Sequence, residues 1–279
     1  MAMVPGRGPP DGAIRPGRDH AGAMDVAPHN PGRTPALFAG VDGCRTGWVV
    51  ALAAAGTMHG RAPGPGSVEV RSVQVVARFA EVLALVEDGA VTTMALDMPV
   101  GLRRDRPRDC DVLTRAALGP RRASVFPAPV RAVLDATDHA EAVRRSRAAC
   151  GTGISVQAWN LVPKVREVDE ALRAAPPGVR ARVHEAHPEL AFATLLGAPA
   201  RHPKRTTAGR RERLGALHRV VAAGRATARR SVPRGAAPDD VLDALVLAVR
   251  AVQWHDDGPP AVVLGEGTDE FGLPTVVRG

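Results

Sequence analysis

The run PDDVLDALVLAVRAVQW, residues 238–254, constrains this chain more than any other stretch. Its Val, Leu and Ala positions leave no wide polar face, and a helix apolar on nearly all sides has to pack on several of them. The same run carries Asp240 and Asp243, about one helical turn apart and therefore on one face. An ionised carboxylate is costly to bury unless it is paired or bound to a cation. Asp239 is a fair N-cap, and the helix dipole favours Asp240 beside it. Asp243 lies too far into the helix for capping to explain it.

The ordered part begins with strand signals. ALFAGVD, GWVVALAAA and SVEVRSVQVVA are separated by turns containing Gly and Pro. RFAEVLALVEDG places Phe79, Val82, Leu83 and Val86 on one helical face and ends at Gly89. VTTMALD reads as a fourth, buried strand stopped by MPVGL. The pattern predicts an α/β layer whose first three strands form a meander. Beyond it, CDVLTRAAL, RAVLDATDHAEAVRRSRAA and VPKVREVDEALRAA are predicted helices and VRARVHEAH a fifth strand. GRRERLGALHRVVAAGRATARR is predicted to be a basic helix, and AVVLG a last short strand. Residues 1–35 are rich in Pro, Gly and Arg without apolar period and are expected to be a disordered extension, leaving 36–279 as one domain.

Three cysteines, Cys44, Cys110 and Cys150, lie far apart with no CxxC pair. That argues against a zinc site or disulfide framework and fits a reducing compartment. No apolar stretch reaches the roughly 20 residues of a membrane helix, and the start lacks the pattern of a signal peptide. A soluble, cytoplasmic protein is the expectation. The net charge of +8 is concentrated between Arg201 and Arg230, where nine Arg and one Lys face one Glu. Such a stretch suits a polyanionic partner through counterion release, and equally suits a solvated helix face. Because Arg outnumbers Lys 35 to 2, arginine abundance carries little information, whereas Lys164 and Lys204 stand out. Aromatic residues make up only 3%, so base stacking cannot dominate any nucleic-acid binding.

The acids fall at telling places. Asp42 closes the first strand in GVDGCRTGW and Asp97 the fourth in ALDMPVG, while Glu185 ends the fifth in VHEAHPE with Glu189 four residues on. Strand ends are where α/β folds place their chemistry. Acids from several strand ends facing Asp240 and Asp243 would form a cluster of like charge that divalent cations make tolerable. Two such ions roughly 4 Å apart can clamp the attacking and leaving oxygens of a phosphodiester. Each acid also has an ordinary explanation: Asp42-Gly43 as a turn, Asp97 as a strand end, Glu189 as a helix-start residue.

The blocks GVDGCRTGWVVA, LDMPVGL, CDVLTRAALGPRRASVFPAPVR, VQAWNLVPKVREVDE, VHEAHPELAF, DDVLDALVLA and DEFGLP resemble, in order, those of domain-of-unknown-function family 429. That family is described as predicted RNase H-like nucleases. The resemblance spans about residues 36–277. It implies a mixed five-stranded sheet with an antiparallel meander, flanked by helices, with a helical insertion between the fourth and fifth strands. Asp42, Asp97, Asp240 and Asp243 match the acids of nucleases of that fold, and the last helix also resembles that of Holliday-junction resolvases. The implied function is hydrolysis of phosphodiester bonds in nucleic acid or a nucleotide, with two Mg²⁺ or Mn²⁺ ions held by those four Asp and Glu185 as a further candidate.

Within the resembling blocks, Arg121, Arg122 and Ser124 lie in a Pro-bounded loop that could hold phosphate, or in an insertion whose Phe126 packs on the core. Lys164 and Lys204 are candidate partners for phosphate or carboxylate. His187 could shuttle a proton, or be a hydrogen-bonded structural residue. Two rivals remain: a phosphotransferase or ATPase of the actin-like group, which needs two such domains and a second phosphate loop, and a non-catalytic nucleic-acid-binding module. Sequence leaves the oligomeric state open.

Overall fold

β1 (Leu37–Cys44), β2 (Gly47–Ala55) and β3 (Val68–Val76) pair antiparallel in turn, as the meander predicted. β4 (Val91–Asp97) runs parallel to β1 on its other side, and β5 (Val183–Glu185) runs parallel to β4, giving the order β3-β2-β1-β4-β5. This is the mixed five-stranded sheet of the RNase H-like fold. The structure is a computed structural model that describes residues 35–56, 67–221, 232–256, 258, 260 and 262–279. The expected extension over 1–35 lies, but for Pro35, outside the described residues.

Successive strand residues face opposite sides of the sheet, and both sides are covered. On one side, Trp48, Val50, Met94 and Leu96 meet α1 (Phe79–Glu87), which buries the four residues its periodicity selected. The insertion between β4 and β5 follows: α2 (Asp109–Leu118), α3 (His139–Cys150), α4 (Val156–Trp159), α5 (Val162–Ala174) and α6 (Pro177–Arg180). Of these, α5 packs Val165, Val168 and Leu172 into the same layer as α1. On the other side, Phe38, Val49 and Ala51 meet α7 (Pro188–Leu196), α8 (Thr207–Val220) and α9 (Pro238–Asp256). Every residue of α9 from Leu242 to Val252 is buried. Each fully buried Leu or Val stabilises by about 1.5–3 kcal/mol, which is what carries Asp243 under cover with its neighbours. A separate two-stranded ribbon joins β6 (Val263–Leu264) to β7 (Val277–Arg278). Among the described residues, no helix is long and apolar enough to cross a membrane.

Gly40 fixes where α9 lies. A Cβ there would stand 2.0 Å from the Ala244 carbonyl oxygen and 2.1 Å from the Ala248 nitrogen, so the helix backbone rests directly on β1. Only glycine permits that approach.

Three elements depart from the sequence expectation. The stretch RAVLDATDHAEAVRRSRAA is not one helix: a 3₁₀ turn covers Arg131–Val133, and α3 starts afresh after Asp138, whose carboxylate accepts the Glu141 N–H at 2.7 Å. That N-cap breaks the run. The fifth strand is only three residues long, because Pro177–Arg180 takes a helical turn before it. The basic helix ends at Val220, and residues 222–230 lie outside the described residues.

Candidate metal centre

The parallel register of β1 on β4 sets Asp42 directly beside Asp97. Asp42 sits two residues beyond Gly40 and so on the same face of β1, toward α9. α9 answers with Asp243, one residue before the Ala244 carbonyl that covers Gly40. One ligand oxygen from each of Asp42, Asp97 and Asp243 lies within 4.8 Å of the others. Asp42 is 8% exposed and Asp243 only 1%.

Electrostatics mark the strain of this cluster. Burial, then the charges of Asp97 and Asp243, push the Asp42 carboxyl well above the usual range. Burial lifts Asp97 to about 6, against the lowering effects of Lys204 and of a hydrogen bond with Asp42. Asp243 is likewise lifted by burial to about 6, with Lys204 opposing. Like charges in a dry site disfavour ionisation in this way, and a cation reverses it. The Lys204 Nζ donates to Asp243 Oδ2 at 2.5 Å. Burial works against the charge of Lys204, but Asp243, with Asp42 and Asp97 behind it, raises its pKa above the ordinary value.

Asp42 and Asp97 stand in the wall of a cavity of about 600 Å³, with Asp243 buried beside them. Of the other acids expected at the site, Asp240 also lines that cavity, but its Oδ2 accepts the Ala237 N–H at 2.8 Å. That bond is the return half of a capping box, so Asp240 rather than Asp239 caps α9. Glu185 is engaged elsewhere: Arg108 grips it in a fork of 2.7 and 2.6 Å, and the Val100 N–H donates to it at 2.9 Å. The same guanidinium pairs with Asp111, whose other oxygen accepts the Ala128 N–H at 2.8 Å. Glu189 is held by Arg213 at 2.6 and 2.7 Å, both side chains buried.

The remaining candidates divide. His187 Nδ1 accepts the Glu189 N–H at 3.2 Å, leaving Nε2 to donate to the Ser124 carbonyl at 3.4 Å. It caps α7, and burial holds its imidazole below the usual range. Lys164 lines the cavity, donating to the Gly47 carbonyl at 2.7 Å and lying 4.4 Å from the Trp48 ring centre. Ser124 lines the cavity as well, while its hydroxyl donates to the Arg121 carbonyl at 2.7 Å. Arg121 and Arg122 are not among the cavity's lining residues. Phe126 does not pack on the core: it is 46% exposed at the cavity. Sequence reading missed Arg108, Asp111 and Asn160, all in the cavity wall. The spacing of Arg108 and Asp111 at a helix start was the only signal for that pair.

Within the basic segment, Lys204 and Arg213 are turned inward, whereas Arg201, Arg205, Arg210, Arg211 and Arg219 are exposed. Arg205 is close enough to Asp240 to favour its ionised form, against the desolvation that raises that carboxyl.

A family model described as "Protein of unknown function (DUF429)" matches residues 40–266. Among solved structures, one described as "Thermus thermophilus RuvC structure" aligns over 80% of this chain and 96% of its own, at 14% identity and a TM-score of 0.35. An overlap that loose carries no weight for function. No curated protein matches the sequence.

Proposed function

The chain belongs to the DUF429 family, and from that premise and the carboxylate geometry we propose that it is a metal-dependent nuclease that hydrolyses phosphodiester bonds in nucleic acid. The observation that carries this reading is the convergence of Asp42, Asp97 and Asp243, three buried or half-buried carboxylates with ligand oxygens within 4.8 Å of one another, of which Asp42 and Asp97 stand in the wall of a substrate-sized cavity. The donor set fits the metal the fold implies: hard oxygen ligands suit Mg²⁺ or Mn²⁺. The raised carboxyls also mark a site short of positive charge.

In this reading Asp42, Asp97 and Asp243 hold the ion, and Asp240 stands at the same wall. A bound Mg²⁺ or Mn²⁺ supplies the Lewis acid that offsets charge on a phosphate oxygen. Lys164, on α5, presents an ammonium to the cavity and orients an anionic backbone there. Arg205, Arg210 and Arg211 supply sequence-independent attraction for the flanking strand. The phosphotransferase alternative needs two domains of this kind, and the described residues hold one five-stranded sheet.

The test is cleavage of single-stranded, duplex and branched DNA and RNA with Mg²⁺ or Mn²⁺. Asp42→Asn should reduce turnover to background while circular dichroism stays that of the wild type. Full activity in that variant would remove Asp42 from the chemistry.

A further inference from the structure

Lys204 is held in a way that a solvated lysine is not. The turn that carries it, between α7 and α8, is fastened from α8 at several points. The Glu212 carboxylate accepts the backbone N–H groups of Arg201 and His202 at 2.9 and 3.0 Å. Arg213 donates to the His202 carbonyl at 3.1 Å while its other nitrogen grips buried Glu189. The Thr206 hydroxyl and N–H both donate to the Pro203 carbonyl, at 2.8 and 3.0 Å. Gly209 lies so close that a Cβ would stand 2.0 Å from that same oxygen. The ammonium therefore arrives at Asp243 from a prepositioned backbone, so pairing orders only the side chain itself.

We propose that Lys204 is the built-in second cation of the site, so that the chain binds one divalent ion there rather than two. The inference rests on the metal-dependent reading above. Three carboxylates against one ammonium leave two negative charges uncompensated, which is what one divalent ion neutralises. A second ion bridging through Asp243 would have to displace Nζ from Oδ2 and meet a like charge at close range. Asp240, the fourth carboxylate a second ion would need, has its Oδ2 engaged in capping α9. Lys204 lines the cavity beside Asp42 and Asp97, so the same ammonium is presented to a phosphate that enters.

The experiment is Mn²⁺ titration of the full chain, read by bound stoichiometry and by electron paramagnetic resonance, with Asp42→Asn as the background for ions on exposed acids. Wild type should bind one Mn²⁺ above that background, with an uncoupled spectrum. Lys204→Ala should bind a second ion and show the spin coupling of a pair roughly 4 Å apart, and Lys204→Arg should stay at one. Two ions in wild type, or one ion in a folded Lys204→Ala variant, overturns the inference while leaving the metal-dependent reading standing. No Mn²⁺ above background in wild type overturns both. Should Lys204→Ala lose the wild-type circular dichroism, the wild-type stoichiometry decides alone: one supports the inference and two overturns it.

Discussion

Two groups of acids meet at one cavity and have opposite surroundings. Glu185 and Asp111 are closed by the Arg108 guanidinium and by the N–H groups of Val100 and Ala128. Asp42, Asp97 and Asp243 have one lysine among the three of them. Burial raises the carboxyl of Glu185 as it raises those of the trio, but Arg108 answers it at once with charge and two hydrogen bonds. The lesson is that burial alone does not single out a reactive acid. A saturated acid holds the fold together, and an undercompensated one marks a candidate ligand site. Asp269 belongs with the saturated kind, accepting from the N–H groups of Leu102, Phe271 and Leu273 and pairing with Arg131.

That contrast breaks most visibly at Arg108. Arg108→Met should destabilise the protein by about 3–5 kcal/mol, because it strands two buried carboxylates. Denaturant unfolding measures this, and a loss below about 1 kcal/mol would return Glu185 to the pool of free ligands.

The trio should respond with the opposite sign. In chelator, Asp42→Asn should raise stability by on the order of 1 kcal/mol, since it relieves repulsion at nearly constant volume. Asp243→Asn should gain less, because it takes from Lys204 its 2.5 Å partner. Added Mg²⁺ should stabilise wild type by mass action and Asp42→Asn hardly at all. Melting temperatures with chelator and with millimolar Mg²⁺ separate these cases, and an Asp42→Asn variant less stable than wild type in chelator would place Asp42 with the structural acids.

The effect carries a pH signature. Carboxyls raised in the folded state, as Asp97 and Asp243 are to about 6, make the folded protein bind more protons than the unfolded chain. Their contribution to stability is present below the unfolded value and is lost as pH rises through the folded one. The advantage of Asp42→Asn in chelator should therefore be present at pH 8 and shrink by pH 5. A difference that is flat over that window would mean the trio does not titrate together.

The smallest effect expected is on binding. Charge reversal at the exposed pair Arg210 and Arg211 should flatten the salt dependence of nucleic-acid affinity by about one log–log unit per lost phosphate contact. Arg213 cannot serve as a third such site, because its guanidinium is buried on Glu189 and reversal there would destabilise the fold. If slope and affinity stay put at Arg210 and Arg211, that face is merely solvated.

By itself the sequence determined the local elements and the places of the acids along them. Apolar runs bounded by turn residues marked β1 to β4, the 3.6-residue period selected the buried face of α1, and Asp42 and Asp97 could be read as strand-end residues. Those signals are local, since periodicity and turn residues are set within a few positions of one another. Which acids meet was decided only by tertiary structure. The β1–β4 register sets Asp42 beside Asp97, and the contact of α9 on Gly40 brings Asp243 to them. The pairing of Glu185 with Leu96 rather than Asp97, together with the arginine pairs, removes Glu185 and Glu189 from the group. Among 35 arginines only the i,i+3 spacing to Asp111 marks Arg108 locally, and nothing local distinguishes Arg213 from a surface residue. A charge acquires its role from the partner that reaches it, and these partners are 77 and 24 residues away.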